Sequence, residues 1–295
     1  MVCIGSYTKH YMTFHLMTVA SDKEKAHRLI ESCERNGLNL KVINKQPWTG
    51  YVDKIRAMKE ALEGIPDEDI VCFVDAYDVL CFAGEKEILE KFHSYGCRVL
   101  LSAELNCYPA ENKEVYDYVY QEQGNRRLSN TSKDTQFNKR LNYSIPGCDD
   151  GNFYMDQVKR EGVIEGTVGS LYKYVNSGGY IGFKADVEKM LNWKPIEEIE
   201  HICVLGGDQN YFTQYFLENV LGSNGQLKLD DRQLIFQSMY KIRFPEFSMV
   251  YGRLFNNVLG TFPCFAHFNG LNYFDYRVNE SDGNVKHIMH VMSRV

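Results

Sequence analysis

DIVCFVDAYDV, residues Asp69 to Val79, is the stretch of sequence that decides the fold. Its first half, DIVCFV, is a short apolar run rich in β-branched residues, and it predicts a strand buried on both faces of a sheet. Two carboxylates, Asp75 and Asp78, follow this run on a tight turn. Open α/β sheets bind ligands outside the carboxyl ends of their strands, so acids at this position are candidates for function.

Strands and helices are predicted to alternate on both sides of this stretch. The predicted segments are a strand at Phe14 to Ala20, a helix from Ser21 and Asp22 to about Asn36 with a stop at Gly37, a strand at Leu38 to Ile43, a helix at Asp53 to Glu63, the strand at Asp69 to Val74, a helix at Glu85 to Tyr95 and a strand at Arg98 to Ala103. This alternation is typical of a doubly wound α/β sheet of parallel strands.

The middle of the chain has a different composition. From Glu111 to about Thr167 it is polar, with a helical stretch at Lys113 to Gln123 but little strand signal. A connection of about 50 residues is long for a compact domain and is typical of a lid or a binding loop. Regular structure resumes with a predicted strand at Tyr174 to Phe183, a helix at Asp208 to Leu221 and a strand at Arg232 to Phe236.

Composition excludes several classes of protein. The 295 residues are 44% hydrophobic and 24% charged, which is ordinary for a globular chain, and the net charge of −6 argues against broad nucleic-acid binding. We expect no membrane span, since no apolar run is long enough to cross a bilayer. Met1 to Thr13 lacks the apolar stretch of a secretory signal, so the compartment stays open between the cytosol and, within a longer secretory protein, the ER lumen. Nine scattered cysteines without a C-x-x-C pair argue against a disulfide framework.

The two acids after the predicted central strand suit a divalent cation. Carboxylate oxygens are the ligands that Mg²⁺ and Mn²⁺ prefer, and such a cation could bridge the phosphates of a nucleotide sugar. His267, in FAHFNG, is a candidate third ligand, although a lone histidine is more often packed or capping. The alternative for Asp75 and Asp78 is a solvated turn. Tyr77, between them, could stack on a nucleobase or pack in the core.

Further candidates stand in three other segments. YVNSGGYIGF, at Tyr174 to Phe183, offers the polar side chain of Asn176 beside two glycines that allow close backbone approach, or it is a bulged strand. Asp208, in GGDQNYF, could orient an acceptor hydroxyl or cap a helix. Trp48 could be a substrate platform or a core aromatic, and Lys54 could neutralise phosphate or lie on a helix surface. The chain has neither a G-x-G-x-x-G motif nor a P-loop, so a dinucleotide or ATP cradle is not predicted.

Taken together and in this order, these segments resemble the glycosyltransferase domain of the procollagen lysyl hydroxylases, in a free-standing form like those carried by giant viruses. The resemblance covers most of the chain apart from Glu111 to Thr167. The matching segments are MTVA at Met17 to Ala20, WTG at Trp48 to Gly50, FVDAYDV at Phe73 to Val79, LLSAE at Leu100 to Glu104, VNSGGYIGF at Val175 to Phe183, DQNYFT at Asp208 to Thr213, LDDRQLIFQ at Leu229 to Gln237 and HFNG at His267 to Gly270.

The resemblance implies a GT-A type fold, in which a Rossmann-like, mostly parallel sheet is flanked by helices, with Mn²⁺ as cofactor and a UDP-sugar as donor. The resemblance and the motifs together assign residues to four roles. The metal ligands are Asp75, Asp78 and His267, and the nucleotide is held by Thr18, Val19, Ala20, Ala76 and Tyr77. The diphosphate and sugar are assigned to Lys54, Asn269 and Gly270, and catalysis and the acceptor to Trp48, Asn176 and Asp208. We expect a single domain over 1–295, with a nucleotide-binding half at about 1–110, the insert at 111–167 and an acceptor-side half at 168–295.

The chain departs from the family pattern at three places. Gly206 and Gly207 stand where the family has aspartates, Leu271 to Tyr273 replace a Pro-Thr-Lys run, and the insert is longer than the family's connection. The resemblance favours glucose transfer to galactosyl-hydroxylysine in collagen-like protein, with galactose transfer to hydroxylysine as the close alternative. A catalytically silent domain that binds UDP-sugar or collagen, and a nucleotidyltransferase, stay open. The oligomeric state is open between a monomer and a homodimer.

Overall fold

The structure, a computed structural model, describes residues 12–130, 171–240 and 246–270. The strands are β1 (Phe14–Ala20), β2 (Leu40–Asn44), β3 (Ile70–Val74), β4 (Val79–Cys81), β5 (Val99–Glu104), β6 (Tyr174–Phe183), β7 (Leu227–Leu229), β8 (Phe236–Ser238), β9 (Phe247–Val250), β10 (Arg253–Asn256) and β11 (Phe265–His267). The α-helices are α1 (His27–Arg35), α2 (Val52–Ala61), α3 (Glu85–Ser94), α4 (Lys113–Asn130), α5 (Lys184–Leu191), α6 (Ile196–Cys203) and α7 (Gly207–Asn219), and short 3₁₀ turns occupy Glu24–Ala26 and Ala110–Asn112. The alternation of strands and helices predicted for the first hundred residues is confirmed.

Six strands form the central sheet, in the order β2-β1-β3-β6-β5-β7. The pairs β1–β2, β1–β3 and β5–β7 are parallel, whereas β6 is antiparallel to both of its neighbours, β3 and β5. The mostly parallel sheet is confirmed, and the wholly parallel arrangement suggested by the alternation is corrected at β6. Because β6 follows the long insert rather than a short helical crossover, no βαβ unit fixes its direction. A second sheet, of order β4-β11-β8, and the hairpin of β9 and β10 complete the topology.

Strand β3 is buried on both faces, and its side chains alternate between two cores. Val71 and Phe73 pack in a core that includes residues of α2, α5, α6 and α7. Ile70, Cys72 and Val74 pack in a second core, with residues of α1 and α3. Burying one such side chain stabilises the fold by about 1.5–3 kcal/mol, so both faces of β3 favour apolar residues. This accounts for the uninterrupted apolar run in the sequence and fixes the position of the acids that follow it.

The predicted strand at Arg232 to Phe236 is wrong, because β8 begins only at Phe236. The preceding residues form a turn in which Gln233 has a positive φ of 50°. The Asp230 carboxylate accepts the backbone N–H groups of residues 234–236 at 2.6–2.8 Å. A buried carboxylate therefore satisfies the donors that a strand ladder would otherwise use.

The first predicted helix starts later than Ser21 and Asp22. A 3₁₀ turn comes first, in which Asp22 Oδ1 accepts the Glu24 N–H at 3.1 Å, and α1 begins at His27. The end of the helix agrees with the prediction, since Gly37 has a φ of 68°. Sequence patterns did not indicate β4, β7, α5 or α6, because the strands have three residues each and the helices are short.

The long insert is described only at its beginning. Helix α4 includes the predicted helical stretch at Lys113 to Gln123. The remainder of the predicted insert, 131–167, lies outside the described residues. The lid and the division of the chain into two halves and an insert therefore stay predictions. Within the described ranges no helix is both long and apolar enough to cross a membrane.

Candidate metal centre and active site

The candidate site lies at the carboxyl end of β3, where two other strands also end or begin. The Asp75 N–H donates to the carbonyl of Gly178, in the middle of β6, at 3.0 Å. Strand β11 pairs antiparallel with β4, so that His267 lies opposite Val79. The Phe268 N–H donates to the carbonyl of Asp78 at 2.8 Å. These backbone bonds bring residues that are distant in sequence to one edge of the sheet.

Asp75, Asp78 and His267 form a compact group with metal-ligand chemistry. Their ligand atoms all lie within 4.8 Å of one another. His267 Nε2 is 3.1 Å from Asp78 Oδ2 and 3.6 Å from Asp75 Oδ2. The imidazole is buried, whereas both carboxylates are partly exposed. Two carboxylates and one imidazole, open on one side, fit the donor set that Mn²⁺ accepts.

The orientation of His267 is fixed by Asn176. Asn176 Oδ1 accepts the Gly178 N–H at 3.0 Å and lies 2.9 Å from His267 Nδ1. Because this oxygen can only accept, His267 Nδ1 carries the hydrogen, and Nε2 faces the two carboxylates. A Cβ on Gly178 would lie 2.0 Å from His267 Cε1, so only glycine leaves room for the ring.

The charges in the site shift each other's protonation. Burial would raise the pKa of Asp78, but the imidazole of His267 holds that pKa below its usual value. Burial would lower the pKa of His267, but Asp78 and Asp75 raise it above its usual value. Each group thus favours the charged form of the other, and a cation held there would compete with a proton for His267 Nε2.

Lys54, on α2, bridges two carboxylates. Its Nζ lies 2.7 Å from Asp75 Oδ1 and 2.8 Å from Asp208 Oδ2, at the start of α7. Burial would lower the pKa of Lys54, but Asp208 and Asp75 raise it. Burial raises the pKa of Asp208 in spite of Lys54. Lys54 is therefore a fixed positive charge beside the candidate metal group.

Glu104, at the end of β5, is a polar residue of the site that the sequence interpretation left without a role. Its carboxylate accepts hydrogen bonds from the side-chain amides of Gln209, Asn269 and Asn176, at 2.5, 3.1 and 3.4 Å. Burial raises the pKa of Glu104 to about 7, against these hydrogen bonds. The signal that could have found it is the one used for Asp75, an acid directly after a buried strand at the carboxyl edge of the sheet.

The structure brings several other predicted residues to this edge. Asn269 contacts Glu104, and its Oδ1 accepts the Ser238 hydroxyl at 2.9 Å. Gly270 is exposed, with a φ of 69°. Trp48 is 39% exposed in the loop before α2. Its predicted role at the acceptor stays a prediction.

The predicted nucleotide residues lie at the ends of β1 and β3. Thr18, Val19, Ala20 and Ala76 are all buried. The Tyr77 hydroxyl accepts the N–H groups of residues 21 and 22 at 2.8 and 2.9 Å and so ties the loop after β1 to the loop after β3. The Tyr77 ring is partly exposed, and its stacking on a base stays a prediction.

A mostly parallel sheet flanked by helices, with two carboxylates and an imidazole gathered at its carboxyl edge, is the arrangement of a GT-A type glycosyltransferase. The chain matches the family model described as the PLOD GT domain over residues 10–134 and 166–281, and it belongs to that family. The stretch between these two ranges, 135–165, falls inside the predicted insert.

Individual relatives agree with the family match. Procollagen-lysine,2-oxoglutarate 5-dioxygenase 1 of Gallus gallus is 24% identical over 91% of this chain and 32% of its own length. An uncharacterized protein of Acanthamoeba polyphaga mimivirus is 25% identical over 77% of this chain and 37% of its own. The multifunctional procollagen lysine hydroxylase and glycosyltransferase LH3 of Rattus norvegicus is 25% identical over 88% of this chain and 30% of its own. The chain therefore spans about a third of the length of these relatives.

Proposed function

We propose that this protein transfers a hexose from a UDP-sugar to a lysine-linked acceptor in collagen-like polypeptide, with Mn²⁺ as cofactor. The observation that carries the proposal is the group of Asp75, Asp78 and His267, whose ligand atoms lie within 4.8 Å of one another at the carboxyl edge of the sheet. Membership of the PLOD GT domain family supports a glycosyl transfer, and the names of the relatives support collagen lysine as the acceptor.

Each residue of the site has its own proposed role in this reaction. A divalent cation held by Asp75, Asp78 and His267 would neutralise the diphosphate and so make UDP a better leaving group. Lys54 adds a fixed positive charge next to the same group. In the proposed transfer, the bond from the anomeric carbon to the diphosphate oxygen breaks, a bond from that carbon to the acceptor oxygen forms, and the proton of the acceptor hydroxyl passes to the departing UDP. Asp208, beside Lys54, is our candidate for orienting the acceptor hydroxyl.

Asn176 supports the site differently from its first assignment. Its amide already contacts His267, Gly178 and Glu104, at 2.9, 3.0 and 3.4 Å. We therefore assign Asn176 to orienting the histidine rather than to direct catalysis or contact with the acceptor. Tyr77 and the end of β1 are our candidates for selecting the base, as the resemblance implies.

The test is release of UDP by the purified protein. With Mn²⁺, UDP-glucose and a deglucosylated collagen peptide, we expect acceptor-dependent release of UDP. A panel of UDP-sugars distinguishes glucose transfer to galactosyl-hydroxylysine from galactose transfer to hydroxylysine, and analysis of the product linkage identifies the acceptor. No release from any UDP-sugar would favour the catalytically silent, ligand-binding alternative.

The metal assignment is tested by Asp75→Ala and Asp78→Ala. Each removes one carboxylate from the group, and we expect Mn²⁺-dependent turnover to fall by about 100-fold or more while the fold is kept. Asp117→Ala is the matched control, because Asp117 is exposed and pairs only with Lys113 among the contacts described. Near-normal rates in both site variants would contradict the assignment.

A further inference from the structure

Large apolar side chains are concentrated next to the candidate site. Nine large hydrophobic side chains are exposed in the part of the chain that the structure describes. Five of them come from the loop before α2, the loop after β5 and the two residues that follow α6: Trp48, Tyr51, Tyr108, Val204 and Leu205. Single exposed apolar residues need no explanation, but a concentration of them marks an interaction site.

Two glycines show that these segments meet in space. Gly206 and Gly207 both have positive φ, at 79° and 65°, just where α7 begins. A Cβ on Gly206 would lie 2.5 Å from Pro109 Cγ and 3.4 Å from Tyr108 Cε1. A Cβ on Gly207 would lie 2.9 Å from the ring of Tyr51. Both tyrosines therefore flank the start of α7, and with Val204 and Leu205 they form a surface that we call the aromatic rim.

The aromatic rim adjoins two charged residues of the site, Asp208 and Lys54. Asp208 follows Gly207 directly, and its carboxylate lies 2.8 Å from Lys54 Nζ. Lys54 lies one helical turn after Tyr51, and its N–H donates to the Tyr51 carbonyl at 3.1 Å. Asp208 itself is buried, with 3% exposure, so a ligand on the rim would direct one side chain toward the start of α7 while its backbone stays outside.

We propose that the aromatic rim holds the polypeptide backbone of the acceptor in an extended polyproline-II conformation, with one lysine-derived side chain directed to Asp208. This rests on the proposed function. Collagen-like chains adopt this conformation, and proline-rich segments in it dock on surfaces lined by aromatic side chains. The four rim residues are uncharged, and Tyr51, Tyr108, Val204 and Leu205 are 59%, 57%, 83% and 52% exposed, which suits a partner recognised by apolar contact.

The test compares two acceptors that differ only in the polypeptide. One is a collagen-like peptide, and the other is the same lysine-derived amino acid without a peptide. For the double variant Tyr51→Ser/Tyr108→Ser we expect the KM of the peptide acceptor to rise about tenfold, because two aromatic contacts are lost. The KM of the free amino-acid acceptor and the Kd of the UDP-sugar should not change.

Two further variants keep the test decisive. Val204→Ser removes an exposed side chain with little effect on packing, and we expect it to raise the peptide KM about threefold. Tyr251→Ser is the matched control, because Tyr251 is 99% exposed at the tip of the β9–β10 hairpin. An unchanged peptide KM in both rim variants would overturn the proposal, and so would an equal rise for the two acceptors.

Direct binding separates this proposal from the proposed function. If the wild-type protein releases no UDP from any donor, the proposed function fails, and the rim is then tested by fluorescence anisotropy of a labelled collagen-like peptide. Binding that is about tenfold weaker in the double variant supports the rim. Equal affinity in the double variant, or no binding by the wild-type protein, contradicts it.

Discussion

A single side-chain oxygen, Oδ1 of Asn176, organises the candidate metal group. It accepts the Gly178 N–H and faces His267 Nδ1, so it selects the tautomer whose Nε2 points at Asp75 and Asp78. Groups that orient a metal-binding histidine through its second nitrogen raise metal affinity without touching the metal. Asn176 is therefore a positioning residue for the proposed reaction.

Removal of this amide should weaken metal binding. For Asn176→Ala we expect the Mn²⁺ affinity to fall about 10–100-fold, because the His267 ring loses the partner that holds it. Titration of Mn²⁺ by electron paramagnetic resonance measures this without turnover. Asn219→Ala, which loses a comparable amide-to-carbonyl bond on α7, should leave the affinity unchanged. Equal affinities in wild type and Asn176→Ala would show that other contacts orient the histidine.

Glu104 makes stability depend on pH. Its pKa is about 7 in the folded protein, raised from an ordinary value of 4.5 by burial. The folded state therefore holds more protons than the unfolded state between these values. The stability that comes from this proton is fully present below pH 4.5 and is lost as the pH rises through about 7. The loss across this window is at most about 3 kcal/mol.

The variant Glu104→Gln should remove this dependence. A neutral amide has no proton to lose, so its free energy of unfolding should fall less between pH 5 and pH 8 than that of the wild-type protein. Urea unfolding at several pH values, with a chelator present, measures both. Parallel pH dependence of the two proteins would mean that Glu104 titrates near its ordinary pKa.

At the scale of elements, β6 lies between β3, which Asp75 and Asp78 follow, and β5, which ends at Glu104. Because it is antiparallel to β3 and β5, its first residues lie at the carboxyl ends of both neighbours. Its glycines admit side chains from the second sheet. A Cβ on Gly178 would meet His267, and a Cβ on Gly179 would lie 2.7 Å from Phe236 Cδ1. The NSGG segment is thus the contact surface between two sheets.

A methyl group on β6 should displace the histidine. In Gly178→Ala the new Cβ would lie 2.0 Å from His267 Cε1, and the ring must move away from Asp78. We expect at least a tenfold loss of Mn²⁺ affinity, measured by calorimetry on the folded variant. Gly222→Ala is the control, because its Cβ would meet only the Asn219 carbonyl, at 3.8 Å. Unchanged affinity in Gly178→Ala would mean that His267 is not a ligand.

The elements also show what the sequence could and could not predict. Strands β1 and β6 have their predicted bounds, because their apolar runs end at polar or helix-starting residues. The convergence of the two aspartates with His267 was predictable from the resemblance. The turn after Asp230 was not, since the apolar residues 234–236 form a strand pattern that one buried carboxylate overrides. The partners of Glu104 come from three separate segments, and no local pattern indicates them.

At the scale of the whole molecule, the candidate ligands meet only in the folded state. Asp78 and His267 are 189 residues apart in the chain. The unfolded chain therefore has no preformed group for a cation, and binding must favour the folded state by mass action. Lys54 and Asp208 likewise come from different helices, so their ion pair also forms only in the folded state.

Addition of Mn²⁺ should accordingly stabilise the protein. At a free concentration 100 times the Kd we expect a gain of about 2.7 kcal/mol in the free energy of unfolding, seen as a higher Tm. Asp78→Ala should show almost none of this gain, while Asp117→Ala should show all of it. A metal-independent Tm in the wild-type protein would contradict the metal centre.

The position of β11 has a consequence for synthesis. This strand carries His267 and lies between β4 and β8, so the group is incomplete until β11 has docked. A ribosome adds about 5–20 residues each second, so the 189 residues between Asp78 and His267 take about 10–40 s to make. During that interval the nascent chain carries both aspartates but cannot hold a cation through the histidine. Capture of the proposed metal would therefore mark the end of assembly rather than its beginning.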